Sequence, residues 1–199
     1  MTPQLRIAVA DDEPDMRDYF VKMLPRLGHE VVAVAENGQA LVDRCREVQP
    51  DLVITDIKMP ELDGIDAAAQ IAQDRPVPVI LVSAYHEASL ISRADGEDIL
   101  GYLVKPIKQS DLEPAIALAV RRFEQMRLLR DEAAFLKQAL EDRKTIERAK
   151  GLLMKARGLD EPTAFRRMQK LAMDSNRKLV QVARMVLETG PAFVPTSDG

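Results

Sequence analysis

The sequence predicts an α/β fold in which a doubly wound, five-stranded parallel sheet is followed by a long coiled-coil helix and a small three-helix α domain. Three observations predict it. Short apolar runs alternate with helix-like segments over residues 1–120, apolar residues then recur at heptad spacing, and amphipathic segments with capping residues fill the tail.

The alternating part consists of five strands and five helices. The strands are predicted at residues 5–11, 30–35, 51–56, 77–84 and 101–106. The helices are predicted at residues 14–28, 37–48, 65–73 and 109–123, with one more beginning near Glu87. Because strands and helices alternate, we expect a parallel sheet with helices on both faces and a ligand site outside the carboxyl ends of the strands.

A heptad pattern follows the last of these helices. Apolar residues at spacings of three and four form a seam of about two heptads: Met126, Leu129, Ala133, Leu136 and Leu140. Two heptads fit either a dimerising coiled coil or a single amphipathic helix that folds back on its own domain. We favour the dimerising seam.

The tail is predicted to form three helices around a small core. The first ends at Gly158, the second is capped by Asp160, and the third is capped by Ser175 or Asn176 and ends at Gly190. The predicted core residues are Ile146, Leu153, Phe165, Met168, Leu171, Leu179, Val182 and Val186. The chain therefore divides into a first domain (1–120), a coiled-coil linker (121–142), a three-helix domain (143–190) and a flexible tail (191–199).

The charge distribution supports two modules with different partners. Residues 1–120 contain 21 acidic and 11 basic residues, whereas residues 143–190 contain 5 acidic and 12 basic ones. The second module is therefore expected to bind an anionic partner. A single cysteine, the absence of a signal-peptide pattern and the lack of a long apolar run predict a cytoplasmic protein that does not enter a membrane.

Charged side chains stand where the predicted strands end. Asp11, Asp12 and Glu13 follow the first strand, and Asp56 ends the third. These carboxylates should converge at one edge of the sheet, where their mutual repulsion calls for a cation, and oxygen ligands favour Mg²⁺.

The fourth and fifth strands add a hydroxyl and an ammonium at the same edge. Ser83 ends the fourth strand and Lys105 ends the fifth. Together with the carboxylates they form a site for a phosphoryl group, with one carboxylate as the nucleophile.

These residues lie in segments that closely resemble the receiver domain of bacterial two-component response regulators, which has a flavodoxin-like fold. The matching segments are Asp11-Asp12, DIKMPELDG from Asp56, SA at 83–84 and YLVKP at 102–106. The resemblance implies that Asp56 accepts a phosphoryl group from the histidine of a sensor kinase. One segment, RADGEDILGYL at 93–103, departs from the family pattern because it lacks the usual Gly-Ala before the fifth strand.

The same resemblance implies roles for the neighbouring residues. Asp12 and Asp56 would bind Mg²⁺ directly, Asp11 would act through water, and the backbone carbonyl of Lys58 would complete the protein ligands. Ser83 and Lys105 would hold the phosphoryl oxygens, and the aromatic side chain of Tyr102 would reorient on activation.

The tail resembles the ANTAR domain, a three-helix RNA-binding module of transcription antiterminators. The resemblance lies in Ile146, Ala149-Lys150-Gly151, Leu153, Ala164-Phe165, Leu171-Ala172, Leu179 and Val182-Ala183. It implies binding of structured RNA, and the expected contacts are Arg143, Arg148, Lys150, Gly151, Arg177 and Lys178. Gly151 within a helix suggests close packing or close approach of RNA.

These resemblances favour a phosphorylation-activated, dimeric antiterminator. Two alternatives remain open at this stage: a DNA-binding regulator with a helix-turn-helix, and a phosphorelay or scaffold protein without nucleic-acid output. An enzymatic output is not expected, because residues 121–199 contain no His, no Cys and no clustered carboxylates.

Overall fold

The computed structural model describes residues 3–84 and 99–190, and its strands and helices follow the predicted α/β order. The strands are β1 (Arg6–Ala10), β2 (Glu30–Ala35), β3 (Leu52–Asp56), β4 (Val79–Ser83) and β5 (Ile99–Val104). The helices in these ranges are α1 (Pro14–Arg26), α2 (Gly38–Val48), α3 (Gly64–Asp74), α4 (Gln109–Arg157), α5 (Glu161–Asp174) and α6 (Leu179–Thr189). The helix predicted to begin near Glu87 and the predicted tail at 191–199 lie outside the described residues.

All five strands are parallel, in the order β2-β1-β3-β4-β5. The connections change direction between β1 and β3, so the carboxyl ends of these two strands flank a topological switch point. The sheet therefore brings the residues after Ala10 next to Asp56, as the sequence predicts.

The sheet is buried on both faces, which confirms the doubly wound arrangement. One face packs mainly against α2 and α3, and its core includes Ala8, Leu41, Val53, Ile71 and Leu81. The other face packs against α1 and the first part of α4, and its core includes Ile7, Phe20, Ile54, Ile80 and Ile116. Alternate residues of each strand enter opposite cores, as the two-residue period of a strand requires.

Helix α4 is 49 residues long, and the chain divides within it into two compact units, Met1–Leu128 and Leu129–Gly199. Met126 is half-buried against the core that lies between the sheet, α1 and the first part of α4. By contrast, Leu129, Leu136 and Leu140 are 65, 58 and 54% exposed. These leucines do not fold back on a core in the described part of the chain, and their pairing with a second helix stays a prediction. Among the described residues, no helix is both long and apolar enough to cross a membrane.

The second unit has its own core where α4, α5 and α6 meet. Its buried residues are Ala149, Leu153, Ala164, Met168, Ala172, Val182, Ala183 and Val186. Most of the predicted core residues belong to this cluster or pack against it, but Phe165 is only half-buried and lies outside it. The prediction of Phe165 as a core residue is therefore wrong, because Ala164 and Met168 present the buried face of α5.

Side-chain caps fix the beginning of one tail helix but not of the next. Asp160 caps α5, and its carboxylate accepts a hydrogen bond from the backbone N–H of Thr163, as predicted. The predicted cap of α6 at Ser175 or Asn176 is wrong, since α6 begins at Leu179 after Lys178. Asn176 instead adopts a left-handed backbone conformation with φ of 53°, which is incompatible with an N-cap.

Candidate functional site

Asp56 is the last residue of β3, and its side chain is almost completely buried. The exposed fraction of the residue is 6%, and the backbone N–H of Lys58 donates a 2.9 Å hydrogen bond to Asp56 Oδ2. The strand end is held by the N–H of Ile57, which donates to the carbonyl of Val82 in β4. The other carboxylate oxygen thus remains available for a charged partner.

Lys105 supplies that partner and connects three carboxylates. Its Nζ lies 3.1 Å from Asp56 Oδ1, 3.0 Å from Asp11 Oδ2 and 2.9 Å from Glu13 Oε1. The N–H of Lys105 donates to the carbonyl of Ser83, which fixes the residue directly after β5. The structure therefore brings the predicted strand-end residues Asp11, Asp56 and Lys105 into direct contact.

Burial dominates the electrostatics of the two inner carboxylates. Desolvation raises the pKa of Asp56 to about 6, although the charge of Lys105 opposes the shift. Desolvation also raises the pKa of Asp11, against the hydrogen bond from the N–H of Glu13. Burial acts to lower the pKa of Lys105, but its hydrogen bonds to Glu13 and Asp11 and the charge of Asp56 raise it overall.

The acidic residues after β1 are suited to hold a divalent cation. Carboxylate oxygens of Asp11, Asp12 and Glu13 lie within 4.8 Å of one another. Asp11 Oδ2 is buried and, apart from its ion pair with Lys105, accepts no well-aligned hydrogen bond from the described residues. Asp12 is exposed beside it. A buried carboxylate next to an exposed one fits a hard cation such as Mg²⁺.

Gly64 shapes the floor of the site from α3. A Cβ atom on Gly64 would lie 2.0 Å from the carbonyl oxygen of Asp56, and its N–H donates to the carbonyl of Ile57. The preceding Asp63 caps α3 by accepting from the N–H of Asp66. Only glycine allows α3 to begin this close to Asp56.

The two predicted switch residues stand on neighbouring strands. Ser83 is buried at the end of β4, in register with Val104 of β5, and among the described residues its hydroxyl contacts the carbonyl of Ala84 at 3.5 Å. Tyr102 lies on β5 and is 36% exposed. Their predicted roles, and that of the Lys58 carbonyl as a metal ligand, stay predictions.

Two residues near the site have structural roles that the sequence did not predict. Glu13 pairs with Lys105, and the guanidinium of Arg17 donates to the carbonyls of Asp11 and Asp12. Arg17 thereby holds the acidic turn in place from α1. The only available signal was the position of Arg17 one turn into the helix that follows the acidic residues.

The residues predicted to contact RNA have different environments in the second unit. Arg143, Arg148, Arg177 and Lys178 are exposed. Lys150 is buried, and its Nζ lies 2.6 Å from Glu147 Oε2 and 2.7 Å from Glu161 Oε1. Its hydrogen bonds to Glu147 and then Glu161 raise its pKa. Lys150 thus ties α4 to α5, and its role as an RNA contact stays a prediction that this pairing disfavours.

Gly151 is exposed, and a Cβ atom there would meet nothing within 4 Å. Of the two explanations offered by the sequence, close packing within the chain is therefore wrong. A glycine in a helix interior is less stable than alanine by about 1 kcal/mol. Nothing in its own fold requires this residue to be glycine.

The strand-end site and the comparisons agree on the class of protein: the chain belongs to the two-component response regulators. Residues 7–117 match the family described as response regulator receiver domain, and residues 134–187 match the ANTAR domain. The protein is thus a response regulator with an RNA-binding output domain. The ANTAR match begins nine residues before the predicted start at 143 and includes Leu136 and Leu140.

The chain is similar to one relative over most of its length and to others over its first part. The chain is 45% identical to the transcriptional regulatory protein PdtaR of Mycobacterium tuberculosis over 184 residues, which cover 92% of this chain and 90% of the relative. It is 39% identical to the chemotaxis protein CheY of Bacillus subtilis over 112 residues, or 56% of this chain and 93% of CheY. A receiver domain from Clostridium thermocellum superimposes with a TM-score of 0.56 at 31% identity, covering 61% of this chain and 98% of that structure.

Proposed function

We propose that a sensor histidine kinase phosphorylates Asp56 in the cytoplasm and that this modification controls RNA binding by the C-terminal domain, with transcription antitermination as the result. The observation that carries the proposal is the buried carboxylate of Asp56, which shares the ammonium of Lys105 with Asp11. A nucleophilic carboxylate flanked by a cation and an acidic metal-binding turn is suited to accept a phosphoryl group. The protein is a regulator, and its only chemistry is transfer to and loss from Asp56.

Mg²⁺ is the proposed cofactor. Asp12, Asp56 and the carbonyl of Lys58 would hold it, with Asp11 acting through water. When bound, the ion neutralises the acceptor carboxylate and the incoming phosphoryl oxygens. The exposed position of Asp12 and the proximity of the Asp11, Asp12 and Glu13 carboxylates support this assignment.

The transfer step uses the chain's own groups. Asp56 Oδ1 attacks the phosphorus atom of the kinase phosphohistidine, an O–P bond forms, the P–N bond breaks, and the leaving imidazole takes up a proton. Lys105 then exchanges its contact with Asp56 Oδ1 for one with a phosphoryl oxygen, and the Ser83 hydroxyl donates to another. Water later cleaves the P–O bond and returns Asp56 and inorganic phosphate.

The proposed output is binding of structured RNA by a homodimer. The exposed leucines of α4 offer an apolar face for a second copy, and the exposed cations of the second unit offer affinity for phosphates. The new charge on Asp56 would pull Ser83 and Lys105 inward, let Tyr102 reorient, and so favour the dimeric, RNA-binding state.

The test is crosslinking of the protein to cellular RNA with and without a phosphoryl donor, followed by sequencing of the bound RNA. We expect enrichment of stem-loops from leader regions only when wild type is phosphorylated, and none for Asp56→Asn. If Asp56→Asn bound RNA and dimerised as well as phosphorylated wild type, the switching proposal would be wrong. If duplex DNA outcompeted structured RNA in a gel shift, or if neither bound at low salt, the RNA output would be wrong.

A further inference from the structure

A single glycine interrupts the exposed surface of the basic part of α4. Gly151 lies six residues before the end of a 49-residue helix, on the solvent side, with open space where its Cβ would be. Two glycines of the first unit differ from it. Gly38 and Gly64 begin helices, and a Cβ on either would come within 2.3 Å of a backbone oxygen. Their identity is explained by their own fold, whereas that of Gly151 is not.

Two cations flank Gly151 on the same face of the helix. Arg148 lies three residues before it and Lys155 four residues after it, which places both about one turn away along one side of α4. Both are exposed, and neither forms an ion pair with any residue in the ranges 3–84 and 99–190. The surface is therefore a shallow notch between two available positive charges.

The acidic residue nearest the notch is paired with a lysine. Glu147 lies one turn before Gly151, but its Oε2 is only 2.6 Å from Lys150 Nζ. Lys150 also holds Glu161 of α5 at 2.7 Å. Because one ammonium is shared by two carboxylates, these three side chains keep a net charge of −1, and the pairing reduces but does not remove the repulsion that an approaching anion would meet there.

We propose that the notch formed by Arg148, Gly151 and Lys155 is where the sugar-phosphate backbone of RNA lies against α4. The missing side chain lets the backbone come close to the helix, and the two cations bind phosphates on either side. Lys150 acts as a positioning residue that holds Glu147 and Glu161 away from the RNA. This assignment rests on the proposed RNA-binding function and adds Lys155 to it.

A second copy of the chain is a poorer occupant of the notch. In a two-fold symmetric contact the same patch meets itself, so Arg148 and Lys155 would face the like charges of the partner. The exposed leucines of the predicted seam lie more than two turns earlier, between Leu129 and Leu140. An anionic polymer satisfies both the space and the charge.

The test measures stability and binding for a graded series at position 151 in the full-length phosphorylated protein. The variants are Gly151→Ala and Gly151→Gln, with Ala156→Gln as the control on another exposed face of the same helix. The probe is a labelled pool of RNA hairpins with a fixed stem and randomised loops. We expect Gly151→Ala to raise the melting temperature by about 2–4 °C, because alanine favours the helix. We expect Gly151→Gln to weaken hairpin binding about tenfold or more while Ala156→Gln leaves it within about twofold.

Charge removal provides a second measurement. Arg148→Gln and Lys155→Gln should each reduce the slope of log affinity against log salt by about one unit. If wild type binds hairpins but Gly151→Gln binds equally well, the notch assignment is wrong and the RNA function stands. If wild type binds no hairpin, the RNA function itself is wrong. If Gly151→Gln changes the dimer in sedimentation and not the intrinsic RNA affinity, the notch belongs to a protein contact and the assignment is overturned.

Discussion

Asp56 is the proposed nucleophile, and its protonation state depends on its burial. Because its pKa is raised to about 6, half of the metal-free protein carries a protonated, unreactive Asp56 near that pH. We predict that the rate of Asp56 phosphorylation by a small-molecule donor, acetyl phosphate, rises with pH through about 6 and then levels off. Intact-mass spectrometry measures the rate. A bound cation favours the ionised carboxylate, so raising the Mg²⁺ concentration should move the midpoint to lower pH, and a midpoint near the ordinary value of 3.8 at low Mg²⁺ would contradict the prediction.

The same pKa shift affects the stability of the fold. Between pH 3.8 and about 6 the folded chain keeps a proton on Asp56 that the unfolded chain has released, so this residue makes the protein less stable as pH rises through that range. Asp56→Asn should therefore increase the free energy of unfolding by about 1–3 kcal/mol near pH 8, after the lost attraction to Lys105 is allowed for.

Urea unfolding at a series of pH values from about 8 down to about 4 checks this expectation. The difference in the free energy of unfolding between Asp56→Asn and wild type should shrink as Asp56 becomes protonated in the wild type. Asp18→Asn is the control. Its side chain is 73% exposed in a pair with Lys22, and such pairs contribute little. A gain for Asp56→Asn that did not change with pH would show that ionisation is not its cause.

At the scale of single elements, α4 combines a buried part with an exposed apolar stripe. We predict that Leu129→Gln combined with Leu136→Gln prevents dimerisation of the phosphorylated protein while leaving its thermal stability nearly unchanged, because both side chains are more than half exposed. Sedimentation velocity measures the dimer. The control is Leu118→Gln, which removes a 47% exposed leucine from the same helix within the first unit. Dimers that persist in the double variant would exclude this stripe as the interface.

The strands and the beginning of α5 were predictable because their determinants are local. Continuous apolar runs specify buried parallel strands, and Asp160 is a short acceptor placed immediately before its helix. The start of α6 was not predictable in this way. Lys178 offers no acceptor side chain, and its backbone N–H instead donates to Gln181 Oε1 from within the helix.

Side-chain environments in the tail depended on contacts that the sequence pattern does not encode. Lys150 sits within a basic stretch, yet it is buried because Glu161 of the next helix reaches it. Phe165 is an apolar residue on an amphipathic helix, yet smaller neighbours fill the core in its place. Helical spacing identifies a face to within about one residue, and adjacent positions on that face can differ in burial.

At the scale of the whole molecule, we expect a cation bound by the acidic first module to control the assembly of the whole chain. We predict that EDTA prevents phosphorylation of Asp56 by acetyl phosphate and thereby the phosphorylation-dependent dimer, because the acidic turn then lacks its cation. Intact mass and sedimentation measure the two effects, and restoring Mg²⁺ in excess of EDTA is the control. If dimerisation required Mg²⁺ but not Asp56, the metal would act independently of phosphorylation and the prediction would be wrong.

Helix α4 sets both the distance and the rotation between its exposed leucines and its residues in the core of the second unit. Leu136 and Leu140 face solvent, Ala149 and Leu153 are buried, and one uninterrupted helix carries all four. Each residue inserted between Leu140 and Ala149 would turn everything after it by about 100° and shift it by about 1.5 Å. Insertions of about seven or eleven residues would restore the rotation between the two stripes, but they would still move the stripes apart along the helix. Selection should therefore tolerate substitutions at the exposed positions of this stretch far more readily than any change in its length.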